Sequence, residues 1–110
     1  MLAFLKVDYK EKIYEMGDAP DYSIAQWTDV KFKLGLDFPA SPYYLDNDST
    51  GLKLTDPKAI IKYVAVKYGP ESLLGTTAEQ KGTVEMLADV LTDIAKEATV
   101  MCYDKRPNRD

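Results

Sequence analysis

Two short apolar runs, Tyr43 to Asp46 and Leu52 to Thr55, flank Asn47-Asp48-Ser49-Thr50-Gly51, and the second leads straight into Asp56-Pro57. Strand-forming residues on either side of an Asn/Asp/Ser/Gly loop predict a hairpin. Asp56 is a good N-cap and Pro57 fits the first helical position, so a helix has to begin where the hairpin ends. Ala59, Ile60, Tyr63, Val64 and Val66 give that helix an apolar side, and Gly69-Pro70 stops it. A hairpin passing directly into a helix confines the chain to a mixed α/β fold. It also sets a demand, because both hairpin strands need a sheet neighbour.

Upstream, residues 1 to 7 are apolar enough for a buried segment, but too short for periodicity to decide between helix and strand. Tyr9 to Tyr14 reads as a short strand with charged residues on one face. Gly17 to Asp21 is a turn cluster. Ile24 to Leu34 reads as a short helix, with Gly35 suited to its C-terminal cap. Downstream of Gly75-Thr76-Thr77, a capping box of Thr77 and Gln80 opens a longer helix. Val84, Leu87, Leu91, Ile94, Ala98 and Met101 recur at steps of three and four along it, a stripe built for helix–helix contact. Asp104 to Asp110 form a polar tail, expected to fray.

A chain of 110 residues supports one domain with a modest core. Its net charge of −4 argues against nucleic acid and against anionic membrane surfaces. No apolar run is long enough to span a bilayer, and the start lacks the basic head and the length of a signal peptide. The chain has no histidine, which excludes His-based catalysis and His-ligated metal sites, and no metal is expected. Cys102 is the only cysteine, so no internal disulfide can form; a cytoplasmic or other reducing intracellular compartment is expected.

The stretch Tyr14 to Pro39, with Met16-Gly17-Asp18-Ala19-Pro20, Trp27 and Lys31-Phe32-Lys33-Leu34-Gly35-Leu36-Asp37-Phe38-Pro39, followed by Ser41-Pro42-Tyr43-Tyr44-Leu45-Asp46, closely resembles mu-class glutathione transferases. The likeness runs from about Leu5 to Tyr103. Ala59-Ile60, Tyr63-Val64-Ala65 and Lys67-Tyr68-Gly69 resemble the family's helix after the hairpin. Val84, Leu87, Asp93 and Met101-Cys102-Tyr103 resemble the first helix of its all-helical domain. The resemblance implies an incomplete thioredoxin-like domain at residues 1 to 74. Residues 75 to 110 would then be a linker, the first helix of the helical domain and the polar tail. Relative to the family the chain is expected to be shortened at both ends, without the first strand and most of the helical domain. In the family's sheet that first strand lies between the second and third, so its loss would part Tyr9–Tyr14 from the hairpin.

The resemblance also implies a glutathione site, vestigial here. Trp27 and Lys31 match the tryptophan and lysine that contact the glycyl end of glutathione, and an indole N–H and an ammonium both suit a carboxylate. Taken alone, the same two residues read as a core anchor and a solvated charge. Pro42 matches the proline before the hairpin, which makes Ser41-Pro42 the place to expect a cis peptide. Asp93 matches an aspartate that reaches the neighbouring subunit's glutathione amine, and otherwise reads as a charge on a helix surface. Tyr103 matches a tyrosine beside the electrophile pocket; without that role it is a partly buried aromatic at a helix end. Cys102 reads as a small core residue rather than a nucleophile.

Three positions depart from the family. Ala40 stands for an asparagine, removing one side-chain contact. Asp56-Pro57 stand for Gln-Ser at the helix end that receives the γ-glutamyl carboxylate. Asp56 puts a negative charge where that carboxylate would sit, and Pro57 removes an N–H and a hydroxyl. Like charges about 4 Å apart repel by up to several kcal/mol near a surface, and the milder end of that range already weakens binding about tenfold. The family's thiol-activating tyrosine follows its first strand, and none of Tyr9, Tyr14 or Tyr22 stands in that context, so no catalytic residue is assigned.

The expectation is therefore a degenerate glutathione transferase-family chain, without catalysis by itself, acting as an interaction or structural subunit. Its partner would be a second copy or a larger protein assembly, with glutathione at most a weak ligand and no other cofactor. The alternative is a fragment of an active mu-like enzyme that conjugates glutathione to electrophilic small molecules.

Overall fold

The computed structural model describes residues 1 to 103. It is mixed α/β and divides into two compact units, Met1–Pro70 and the part from Glu71 onward. The polar tail of Asp104 to Asp110 lies outside the described residues.

The first unit is built around the hairpin. Strands β1 (Tyr43–Leu45) and β2 (Lys53–Thr55) pair antiparallel, with Tyr43 opposite Thr55, Tyr44 opposite Leu54 and Leu45 opposite Lys53. Asp46 N–H donates to the Leu52 carbonyl at 2.8 Å, closing the pair beside the loop, and Gly51 supplies the left-handed turn with φ +59°. Helix α2 (Pro57–Tyr68) follows and packs on both strands. It begins and ends as the sequence predicts, with Asp56 as N-cap, Pro57 in the first turn, and Gly69 as C-cap, whose N–H donates to the Ala65 carbonyl. Val64 and Ala65 of α2 are buried, with Leu36 the other buried apolar residue of the described chain. So small a core leaves much apolar surface outside.

Three expectations for this unit need correction. Tyr9 to Tyr14 forms no strand. A strand exists only through a neighbour's backbone, and the hairpin is the sole sheet among the described residues. Ile24 to Leu34 is not one helix but two pieces, α1 (Ala25–Thr28) and a 3-10 turn at Lys31–Lys33. So short a segment has little helical stability of its own, and neither piece has a side-chain cap. Gly35 nonetheless ends the second piece as expected, in the left-handed region at φ +66°. Residues 1 to 7 are not buried: the chain makes one tight turn from Leu2 to Lys6, with Leu2, Leu5 and Val7 half-buried and Phe4 73% exposed.

The second unit consists of a 3-10 turn at Glu71–Leu74 and helix α3 (Ala78–Tyr103), which pack together. The capping box forms as read. Gln80 N–H donates to the Thr77 hydroxyl at 3.3 Å, and Gln80 Oε1 accepts from the N–H groups of Thr76 at 2.8 Å and Thr77 at 3.4 Å. The stripe keeps its helical spacing, yet Leu87, Leu91, Ile94 and Met101 are all exposed. Cys102 is exposed too, not the core residue expected. No helix among the described residues is long and apolar enough to cross a membrane.

Candidate functional site

The hairpin register decides where the expected site residues fall. Because Tyr43 pairs with Thr55, Pro42 and Asp56 each lie one residue beyond the last pair, at the open end of the hairpin. Trp27 joins them from α1. Its indole stacks on the Tyr43 ring, with centroids 5.8 Å apart and 15° between planes, and meets the Tyr14 ring edge-on at 5.3 Å. The Ser41-Pro42 peptide is cis, as expected; Ala19-Pro20 is cis as well. Trp27, Pro42 and Asp56-Pro57 are thus gathered at one end of the hairpin.

Lys31 opens the 3-10 turn, half-buried, with Nζ 4.8 Å from the centre of the Phe32 ring. Lys53 Nζ fastens that turn to β2 by donating to the Leu34 carbonyl at 2.7 Å. A Cβ on Gly35 would come within 2.8 Å of the same ammonium. Ala40 is exposed. Asp93 and Tyr103 belong to α3 of the second unit. Asp93 is a charge on the helix surface, paired with Lys96 at 3.3 Å, and Tyr103 is 81% exposed rather than partly buried.

The Asp56 side chain caps the start of α2. Pro57 has no N–H. Asp56 Oδ1 accepts from Lys58 N–H at 2.9 Å and Ala59 N–H at 3.2 Å, and the Asp56 carbonyl accepts from Ile60 N–H at 3.0 Å. Two orphan N–H groups of this helix end, those of Lys58 and Ala59, are therefore taken by the Asp56 side chain, and the Ile60 bond is the first of the regular helical ladder. Asp56 does this at φ +77°, a left-handed conformation that few non-glycine residues adopt.

Two groupings were not foreseen. The Tyr14 and Tyr43 hydroxyls lie 2.8 Å apart, and burial, reinforced by that hydrogen bond, pushes the Tyr43 phenol up to about 12. At the closed end of the hairpin, Asp46 is buried; its Oδ2 accepts from Tyr63 Oη at 2.7 Å and Lys67 Nζ at 2.5 Å. Lys67 also reaches Asp48 Oδ2 at 2.5 Å. Lys67 holds the Asp46 carboxyl below its ordinary range, with help from Tyr63. Lys67 and the Thr50 hydroxyl and N–H bring Asp48 down to about 2. Nothing local in the sequence marks the long-range partners: Tyr14 and Tyr43 are 29 positions apart, and Tyr63 and Lys67 are 17 and 21 from Asp46. Their work is structural, pinning the loop to the end of α2.

Residues 1–66 match the family model described as "Glutathione S-transferase, N-terminal domain". The chain belongs to the glutathione S-transferase family. Among its curated relatives are Glutathione S-transferase Mu 4 of Rattus norvegicus and Glutathione S-transferase Mu 1 of Macaca fascicularis. Each is 42% identical over 103 residues, which is 94% of this chain and 44% of the relative. Glutathione S-transferase B of Cavia porcellus is 42% identical over 94% of this chain and 45% of its own length. The chain is mu-like, and it spans less than half the length of these relatives. Its two-stranded sheet with flanking helices is an incomplete thioredoxin-like domain of this family, followed by helical structure.

Proposed function

We propose that this chain is a degenerate member of the glutathione S-transferase family, without catalytic activity by itself, working as an interaction or structural subunit of a dimer or larger assembly. The observation that carries the proposal is the helix end capped by Asp56, with Pro57 next to it. The helix end that by resemblance would take a carboxylate has its Lys58 and Ala59 N–H groups bonded to the chain's own Asp56 carboxylate. Trp27, Lys31, Pro42 and Asp93 would then be the remnant of a glutathione site, and Tyr103 that of an electrophile pocket. The small core and unpaired hairpin edges support an assembly role, because exposed strand edges and apolar surface recruit partners. A reducing intracellular compartment and a division near residues 74 and 75 complete the proposal.

A second reading is favoured by one observation: 42% identity to a Mu relative extends over 94% of the chain but covers 44% of the relative's length. On that reading the chain is part of an active mu-like enzyme conjugating glutathione to electrophilic small molecules.

Calorimetric titration with glutathione separates the two. Millimolar or absent binding by the chain, with tighter binding by Asp56→Gln/Pro57→Ser, supports the degenerate reading. Micromolar binding by the unaltered chain overturns it.

A further inference from the structure

Helix α3 carries two interleaved series with a repeat of seven, Val84-Leu91-Ala98 and Leu87-Ile94-Met101. A seam of that period stays on one side of a helix that winds around another helix. The seam is open, since Leu87, Leu91, Ile94 and Met101 are 53% to 81% exposed. It is also uneven. A shallow groove lies where the seam passes Ala98, lined by Val90, Asp93, Ile94, Glu97, Ala98 and Met101. Ile94, Glu97, Ala98 and Met101 stand at i, i+3, i+4 and i+7, the four positions that form a hole for one side chain of a facing helix. With only an alanine at its centre, this hole suits a large apolar side chain.

We infer that the occupant is a second copy of α3, running antiparallel, with the two-fold axis at the level between Thr92 and Asp93. In that register Leu87 of each copy enters the hole at Ala98 of the other, Leu91 faces Ile94, and Val84 faces Met101. The helix thus carries both the knob and the hole, and all six seam positions are used at once by the same patch on both copies. Every position that meets its counterpart belongs to the one seam, so no side chain has to change face. A parallel pair would offer Ala98 to the hole at Ala98 and leave it unfilled. It would also put Ile94 where two-stranded parallel coils take leucine. An antiparallel pair shifted by one repeat leaves either Val84 and Leu87 or Ala98 and Met101 without a counterpart, and the first of these shifts sets Glu97 against Glu97. Among the residues flanking the seam, Thr83, Val90 and Glu97 on one side and Ala88, Ala95 and Cys102 on the other, the charged one is Glu97. In the inferred register Glu97 lies opposite Val90, so no like charges meet, and Ala88 lies opposite Ala95, which lets the helices approach closely. The inference rests on the assembly half of the proposed function and names its interface.

Sedimentation equilibrium from micromolar to millimolar chain tests it. The unaltered chain is expected to dimerise. Leu87→Ala empties both holes and should weaken the dimer by more than about tenfold. Val90→Lys sets a lysine opposite Glu97 twice per dimer, whereas Val90→Glu sets a glutamate there, so the lysine variant should dimerise about tenfold more tightly than the glutamate variant. In a parallel pair position 90 would face Ala95, and the two variants would dimerise alike. Leu87 and Val90 are exposed, so the variants should keep the circular dichroism of the parent. A dimer indifferent to Leu87→Ala, or to the sign of the charge at position 90, overturns this interface and leaves assembly by another surface standing. A chain that stays monomeric throughout overturns both the pairing and the homodimer. The loss of catalysis is judged separately, by the glutathione titration.

Discussion

Lys67 Nζ lies 2.5 Å from Asp46 Oδ2, joining the last turn of α2 to the residue that follows β1. Asp46 is buried, and a buried carboxylate that loses its cation keeps the cost of leaving water without the compensating attraction. Lys67→Met is therefore expected to lower the melting temperature by several degrees. Lys96→Met, which removes an exposed pair with Asp93 on α3, should leave it nearly unchanged. Thermal denaturation followed by circular dichroism compares the two.

The same network fixes the sign of an acid response. Asp46 and Asp48 are both held below the ordinary carboxylate range, Asp48 at about 2. A carboxyl that is more acidic folded than unfolded contributes stability above its unfolded value, about 4, and loses it as pH falls through the folded one. Denaturant midpoints should decline as pH drops from about 4 toward 2, and Lys67→Met should flatten that decline. An unchanged slope would remove Lys67 as its cause.

At the alkaline side the sign reverses. Tyr43 is pushed up to about 12, and Tyr44 and Tyr63 also sit above the ordinary phenol, Tyr44 chiefly by burial and Tyr63 chiefly by its bond to Asp46. Groups with raised folded values contribute below the unfolded pKa, about 10, and cease to contribute as pH rises through the folded one. Tyrosinate absorbance near pH 11 should therefore be smaller for the folded chain than for the unfolded one, although both hold eight tyrosines.

Asp56 combines a cap with a left-handed backbone, which sets an unusual order of substitutions. Asp56→Asn keeps an acceptor and tolerates the conformation, and should be close to neutral. Asp56→Gly loses the side-chain cap but relaxes the backbone, for about a few tenths of a kcal/mol. Asp56→Ala loses the cap and keeps the strain, for about 1–2 kcal/mol. Urea denaturation ranks the three; Ala at least as stable as Gly would contradict the stated geometry.

Trp27 is the sole tryptophan, so its fluorescence reports on the stack with Tyr43. Tyr43→Leu should shift the emission to longer wavelength. A double-mutant cycle of Trp27→Leu with Tyr43→Leu should give a coupling of about 0.5–1.5 kcal/mol.

What could be read from the sequence follows how local each signal is. Asp56-Pro57, Gly69-Pro70 and the Thr77/Gln80 box act within a few residues, and all appear where their chemistry places them. The hairpin needs only its own loop, and it formed. Tyr9–Tyr14 has strand composition but depends on a distant backbone, which composition cannot supply. Ile24–Leu34 has a helical pattern too short to hold as one piece. The α3 stripe is legible as periodicity, whereas what covers it is not. In the candidate site, Trp27 and Pro42 could be placed from the resemblance. That Tyr14 and Tyr43 close around Trp27 is a contact across 29 positions of chain, with no local mark.

The two ends of the hairpin are fastened by forces that respond to solvent in opposite ways. Ions screen the attraction of Lys67 for Asp48 at the closed end, while salts excluded from protein surfaces strengthen the aromatic contacts of Tyr14, Trp27 and Tyr43 at the open end. A change of sulfate concentration therefore acts on this small unit as a lever rather than a uniform load. It loosens the loop while tightening the opposite mouth, so one hairpin can be stiff at either end according to the medium it meets.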